Sequence, residues 1–463
     1  MTARASGWGM VLLAAVSGLG CTQMGQVKAQ NEARRKYATG DYDGAVKVLE
    51  AAKEGKAYEP RDRVAYWMNL AMLQHHAKNY TASNALLEQA SKRADELYTL
   101  SLSKTATTLF VNETMSDYQG ENFERVMVHV LSSLNYIETG DLDNARVEAV
   151  KTTEQLKAMR IQAGDKPLSF SQDAFAEWLT GMIYEMQGDA NDALISYKAS
   201  AVAYRDVYGK YFSLQAPPFL GEDIVRAAEE VGPGFEDDIK KAKHLFPGSD
   251  GQTFSLLKDH GEVVVLHANG EAPEKKDFIV TCQANTNGAG CDFLASDTGF
   301  EKVRSFTASG DVFKMALPVF KPHPHHITGV RVSCEGQSTD GVRVEPVSDI
   351  AVKDLSDRMQ RDFAKAIART LAKFIAEKAG KKFGGETLGA VLKLVNNYNE
   401  EADKRSWSTL PAEFNVARMW LPPGEHDLAL DFTDASGQVV RRQVVHTVVA
   451  AGKRAIVTVP TLE

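Results

Sequence analysis

The stretch "GDYDGAVKVLEAA" (40–52) opens on a Gly-Asp turn and runs straight into helix-forming residues. The same design returns as "KNYTASNALLEQA" (78–90), "GDLDNARVEAVKT" (140–152) and "GDANDALISYKAS" (188–200). The sixth place of each copy is small: Ala45, Ser83, Ala145 and Ala193. Four residues further on, along the same helical face, stand Leu49, Leu87, Ala149 and Tyr197. Seven residues before each turn is another small residue, Ala33, Ala71, Ser133 or Gly181. Small residues at both places let two antiparallel helices approach closely. The pattern predicts a run of helical hairpins over about 25–245.

This spacing resembles the tetratricopeptide repeat. The second copy carries the first-helix signature as "WMNLA", with Trp67, Leu70 and Ala71 in register, and "TGMIY" in the fourth places Gly181 and Tyr184. Tyr136 holds the aromatic place in the third. Successive turns fall 38, 62 and 48 residues apart, against about 34 in a regular array. An irregular array follows, with extra helical material near 95–120 and a loop near 158–172. The resemblance implies stacked helix pairs whose curved surface binds protein partners and catalyses nothing.

Outward toward the C-terminus, Gly and Pro cluster in "VGPGFEDDIKKAKHLFPGSDG", and the pattern then changes to short β-branched runs. "EVVVLHANG", "DFIVTCQAN", "VFKMALPVF" and "ITGVRVSC" come first; "EFNVARMWL", "HDLALDFTD", "QVVRRQVVHTVV" and "RAIVTVP" close the chain. Between them, a capped apolar-striped helix over 348–380 buries Val352, Leu355, Met359 and Phe363 on one face. A second helix is expected over about 386–404. The expected fold is α+β and multidomain: an irregular TPR-like α-helical array over 21–245, then a β-sandwich-like domain over 255–463 with a helical insertion at about 350–404. Two separate small β domains are the alternative.

Outward toward the N-terminus, "VLLAAVSGLGCTQ" (11–23) asks how the chain is delivered. The apolar run from Trp8 to Gly20 is shorter than the ~20 residues needed to span a bilayer. It fits a signal peptide over 1–20 ending at a small residue. It resembles a bacterial lipoprotein signal in which Cys21 is acylated, although "GLGC" places its large aliphatic residue one position late. A plain secretory signal is the other reading. Thr22 after the cysteine, by resemblance to known lipoproteins, implies outer-membrane sorting, with the protein lipid-anchored and facing the periplasm. The remaining cysteines are Cys282, Cys291 and Cys334. Cys282 and Cys291 close a short loop and suit a disulfide in an oxidising compartment; Cys282–Cys334 is the rival pairing.

The stretches "GENFERVMVHVLSSLNYIETGDLDNARVEAVK", "VVVLHANGEAPEKKD", "LSDRMQRDFAKAIARTLAKFI" and "EADKRSWSTLPAEFNVARMWLPPGEHDL" resemble a family of bacterial tetratricopeptide-repeat envelope lipoproteins, in order from about residue 118 onward. The family's genes often lie near those of small envelope lipoproteins, including relatives of penicillin-binding-protein activators and of the curli secretion pore. The resemblance implies an accessory role in cell-envelope assembly and carries no catalytic residue with it.

Charge and motif content narrow the function further. A net charge of −8 over 463 residues offers no general surface for nucleic acid or anionic lipid. The chain has no G-x-S-x-G, H-E-x-x-H or phosphate-loop motif. "FKPHPHHITG" puts His323, His325 and His326 together, which would suit a metal-dependent periplasmic hydrolase if other elements supplied ligands; a solvated loop is the plainer reading. His75 and His76 are read as surface residues. "ADKRSWSTLP" has a structural explanation: Trp407 packs where helix meets sheet, Asp403 and Arg405 pair locally, and Pro411 stops a helix. The function expected is an interaction scaffold with no cofactor, meeting an envelope protein through its repeats, with peptidoglycan as a further ligand of the β part.

Overall fold

The computed structural model describes residues 25–103, 116–163, 170, 172–249, 258–285, 288–293, 311–358 and 402–462. The apolar leader, Cys21 and residues 359–401 of the expected insertion lie outside the described residues.

The repeats form helical hairpins: α1 (25–38) with α2 (Tyr42–Glu54), α3 (Arg63–His76) with α4 (Tyr80–Ser103), α5 (Asn122–Glu138) with α6 (Leu142–Ala163), and α7 (Ala174–Met186) with α8 (Ala190–Ala203). One dipeptide makes each turn. Gly40, Gly140 and Gly188 take φ of +79°, +74° and +82°, and Lys78 takes +62° in the copy that lacks glycine. The next residue's N–H reaches back five positions, Asp41 to Lys36, Asn79 to Gln74, Asp141 to Tyr136 and Asp189 to Tyr184, which closes the first helix. The carboxylates of Asp41, Asp141 and Asp189 then accept from the N–H groups of Gly44, Asn144 and Asp192 and open the second.

The small residues sit where the helices touch. Ser83 Oγ donates to the Ala71 carbonyl at 2.8 Å, and Ser133 Oγ to that of Ala145 at 3.4 Å. A Cβ on Gly181 would come within 2.6 Å of the Tyr197 ring. Ala45, Ala145 and Ala193 are fully buried. Beyond α8 a π-turn (Tyr204–Tyr208) and a last turn, α9 (Gly209–Tyr211), lead to α10 (Pro218–Val231) and α11 (Glu236–Leu245). Of the extra helical material expected near 95–120, the part to Ser103 belongs to the long α4 and 104–115 lie outside the described residues. Of the loop expected near 158–172, residues 158–163 are helical in α6, and 164–169 and 171 lie outside the described residues.

The strands are β1 (Gly261–Asn269), β2 (Glu274–Asn285), β3 (Gly288–Phe293), β4 (Asp311–Lys321), β5 (Gly329–Cys334), β6 (Gln337–Asp340), β7 (Val342–Glu345), β8 (Glu413–Leu421), β9 (Gly424–Thr433), β10 (Val439–Val449) and β11 (Arg454–Thr461). They make three sheets of order β11-β1-β8-β7, β10-β9-β5-β6 and β3-β2-β4. The strands after residue 412 thus complete sheets begun before 346: β1 pairs antiparallel with β8 and parallel with β11, and β5 pairs with β9. Between the two groups, the expected long helix is described over 347–358 as α12, burying Ile350, Ala351 and Leu355. Residues 402–404 are irregular rather than the end of a second helix.

β1 is buried along its whole length: its apolar run 263–266 serves both faces, and the polar Glu262, His267 and Asn269 are buried with partners of their own. Val263 and Val265 join Ala417, Met419 and Leu421 of β8 against Val330 and Val332 of β5 and Leu428, Leu430 and Phe432 of β9. Val264, Leu266 and Ala268 turn the other way, with Phe414 and Val416, into the core formed by α3, α5 and α7. The sheet containing β1 is therefore a middle layer, with helices on one face and a second sheet on the other.

Candidate docking surface

The first helix of each pair would line the inner face of the array, and here the chain's own second half covers that face. On α3, Asn69 donates to the Ser406 carbonyl at 3.1 Å and accepts from the Thr409 N–H and the Ser408 hydroxyl, both at 3.0 Å. On α5, Glu124 accepts from the Trp407 N–H at 2.7 Å and from Tyr118 OH at 2.6 Å. Trp407 itself is 1% exposed, and Arg405 pairs with Asp403 at 2.7 Å, as read from the sequence. On α7, Phe175 stacks on Phe414 of β8 at 5.3 Å. Segment 402–412 thus lies across the inner face as an irregular peptide with a turn at 408–410, held through backbone and side-chain groups.

Charge fixes the same contact. Glu121 at the start of α5 meets Lys275 of β2 and Arg358 of α12. Burial works to raise the Glu121 carboxyl, but the Arg358 and Lys275 charges more than reverse it and hold it at about 2. Further along, Glu185, Arg226, Asp223, Arg418, Glu262 and Arg454 join in that order into a closed ring of alternating charge, drawn from α7, α10, β8, β1 and β11. Arg454 Nη1 closes it on Glu185 Oε2 at 2.9 Å. Three carboxylates and three guanidiniums cancel. Burial acts to raise the pKa of Glu185, and the charges of Arg454 and Arg226 overcome it and set it well below the usual range.

Among the described residues the outer side is open between α4 and α6, where α5 floors a groove of about 740 Å³. Val147 is exposed and Tyr136 half-buried on its wall, over buried Leu87, Val128 and Met159; Glu88, Lys92, Lys151 and Glu154 line it with both signs of charge. Val147 is 49% exposed and Ile161 on the same helix 73%. On the floor, His129 Nδ1 lies 2.7 Å from Glu148 and its Nε2 3.5 Å from Ser91 Oγ. This satisfies a buried imidazole from both sides; Arg125, the cation beside it, is taken by Asp95 at 2.8 Å. A second cleft of about 540 Å³ opens between α1, α3, the start of β2 and 402–409, with His323 and the Arg34–Glu271 pair on its wall.

The repeat signature residues converge on the array. Ala45, Leu70, Ala71, Ser83, Ala145, Gly181 and Ala193 are buried between helices, Trp67 and Tyr136 are half-buried on the cores, and Tyr184 stacks under Arg146 at 4.8 Å. The 323–326 histidines do not converge: among the described residues they join no group of three metal-ligating side chains. His326 is exposed, and His325 faces the Gly270 turn, 3.9 Å from Glu413. His75 and His76 are buried rather than on the surface. His75 Nδ1–H donates to Asn135 Oδ1 of α5 at 2.6 Å and His76 stacks on Tyr37 of α1 at 5.3 Å, because neighbouring hairpins close over the end of α3. Cys282 stands opposite Cys291 in the β2–β3 register, and Cys334 is free, so the rival Cys282–Cys334 pairing is not made. No helix among the described residues is long and apolar enough to cross a membrane.

No family model and no curated protein matches this chain. Solved structures overlap it over about half its length. The MamA crystal structure aligns at 12% identity and a TM-score of 0.30, over 48% of this chain and 91% of that one. The apo form of RapI aligns at 13% and 0.34, over 50% and 54%. A kinesin light chain of TPR-like repeats from Podosopora anserina aligns at 15% and 0.32, over 50% and 97%. Scores this low carry no argument, and the array is assigned from its own hairpins.

Proposed function

We propose that this protein is a membrane-anchored periplasmic interaction scaffold, an accessory factor of bacterial cell-envelope assembly. The observation that carries the reading is the division of the array: its inner face is spent on its own β half, while among the described residues the α4–α6 groove stays open with Val147 exposed on its wall. Docking of a protein partner in that groove, on the outer-membrane surface facing the periplasm, follows from it together with the lipoprotein-like leader ending at Cys21. In this reading 21–245 is the repeat domain and the two facing four-stranded sheets of 255–463 are a β-sandwich-like module. A peptidoglycan-synthase activator or a secretion-pore lipoprotein is the partner class the family resemblance favours.

The test is a crosslinked pull-down from envelope membranes with wild type, Cys21→Ser and Val147→Asp. The reading expects one envelope protein with wild type, its loss with Val147→Asp, and release of Cys21→Ser into the soluble fraction. Equal capture by wild type and Val147→Asp would remove the groove from the account. A Cys21→Ser chain that stays membrane-bound would remove the anchor.

A further inference from the structure

Away from the helical array, three electron-pair donors meet at the turn after β5. Cys334 ends β5 and is 5% exposed; Glu335 opens the turn to β6; His426 lies on β9 and is 6% exposed. Cys334 Sγ is 3.9 Å from His426 Nδ1, and Glu335 Oε1 is 3.1 Å from the same nitrogen. The ligand atoms of all three lie within 4.8 Å of one another.

The other ring nitrogen settles the imidazole's orientation. His426 Nε2 lies 2.8 Å from the Pro422 carbonyl, which can only accept, so Nε2 carries a hydrogen. In the neutral ring the Nδ1 lone pair then faces a sulfur and a carboxylate. Three such donors in contact need a proton or a cation among them, and a backbone carbonyl on the far nitrogen is the usual second support of a metal-bound histidine.

The backbone adds an independent observation. Glu335 and Gly336 take φ of +48° and +81° in a two-residue turn whose flanking residues, Cys334 and Gln337, are register partners. Such a turn favours Asn, Asp or Gly at its first place. A glutamate there bears the left-handed penalty, and its carboxylate is directed onto His426.

The spacing fits one ion. Zinc bonds of about 2.3 Å to sulfur and 2.0 Å to nitrogen and oxygen, at a tetrahedral angle, put sulfur and nitrogen about 3.5 Å apart and oxygen and nitrogen about 3.3 Å apart. The observed Sγ–Nδ1 distance of 3.9 Å and Oε1–Nδ1 distance of 3.1 Å each lie within about half an ångström of the matching value. We propose that Cys334, Glu335 and His426 bind a divalent first-row cation of the zinc type. The thiol proton leaves to solvent on binding, and the fourth position opens to water on the side of Glu335, whose side chain is 57% exposed. The ion clips the β5–β6 hairpin to the start of β9.

The experiment frees the full-length chain of metal with a chelator and titrates it with Co²⁺ alone. One equivalent should raise a thiolate-to-cobalt charge-transfer band with the visible bands of a tetrahedral site, and Zn²⁺ should bleach both. Cys334→Ser and His426→Gln should each weaken binding by more than about 100-fold, the upper range for losing a mere outer partner. Glu335→Gln, at an exposed turn that tolerates change, should cost at least about 10-fold in a chain that stays folded by circular dichroism. Absence of the charge-transfer band overturns the proposal. A band undiminished in Cys334→Ser, which would belong to other cysteines, overturns it too, as does unchanged affinity in Glu335→Gln.

Discussion

Arg454, the first residue of the last strand, reaches Glu185 on the seventh helix at 2.9 Å. The contact closes a ring of six buried charges that ties the array to the middle sheet. Removing one member of such a set leaves its neighbours charged and unpaired, at a cost of about 3–5 kcal/mol. Asp223→Ala and Arg454→Met should each lower the free energy of unfolding in urea by that order. A loss below about 1 kcal/mol in both would mean that water already satisfies the ring.

Among the four repeat turns, Lys78 holds the left-handed conformation where Gly40, Gly140 and Gly188 stand in the other three. Lys78→Gly should relieve that strain and raise stability by about 0.5–1 kcal/mol, after the extra freedom gained by the unfolded chain. Gly40→Ala, at the equivalent turn, should lose a comparable amount. Thermal midpoints of the two variants check both signs at once.

Gly181 faces the Tyr197 ring so closely that even a methyl group collides. Gly181→Ala should cost about 1–3 kcal/mol through forced separation of α7 and α8. The paired change Gly181→Ala with Tyr197→Leu should recover part of it. Lack of any recovery would place the cost elsewhere.

Burial pushes His75 down to about 4 and His267 down to about 3, the latter helped by His325 and Arg441. A depressed folded pKa contributes stability that is present above the unfolded value, near 6.5, and is lost as pH falls toward the folded one. Denaturant midpoints should therefore fall between pH 6.5 and 4 more steeply in wild type than in a His75→Gln/His267→Gln chain. Asp173 works in the opposite sense. Burial raises it to about 6, so its contribution is full below about 3.8 and is lost as pH rises through 6. Asp173→Asn, which keeps the α7 cap, should gain on wild type as pH climbs from 4 to 7; parallel curves would refute it.

Segment 402–412 tests the covered inner face. Trp407→Ala should cost about 3–5 kcal/mol as a buried aromatic. Asn69→Ala strips backbone partners from the same segment and should loosen it locally, read as faster amide exchange at Thr409. Unchanged exchange there would show that Asn69 is not what holds the segment.

The helical array was legible because its signals are local. Gly40, Gly140 and Gly188 with the aspartates that follow them announce each turn, and the small residues at 71, 83, 181 and 193 announce each close contact. The short β-branched runs of β1 and β8 were legible as strands, but which element covers each face was not, since such a run does not name its neighbours. Nothing in the sequence joins Glu185 to Arg454 or Asn69 to Thr409, because such contacts arise only once distant elements have packed. His75 and His76 were misread for the same reason: a polar pair at a helix end looks solvated until α1 and α5 close over it. Cys334 and His426 are 92 residues apart in sequence, a span that no motif bridges.

β11 pairs with β1 in parallel, and β8 flanks β1 on its other edge. In order of synthesis, β1 emerges with neither neighbour, and both wait for residues made more than 140 positions later. The helices therefore leave the ribosome with the face that will meet the sheet still bare. An apolar surface of that kind attracts holding chaperones until β8 and β11 have been made.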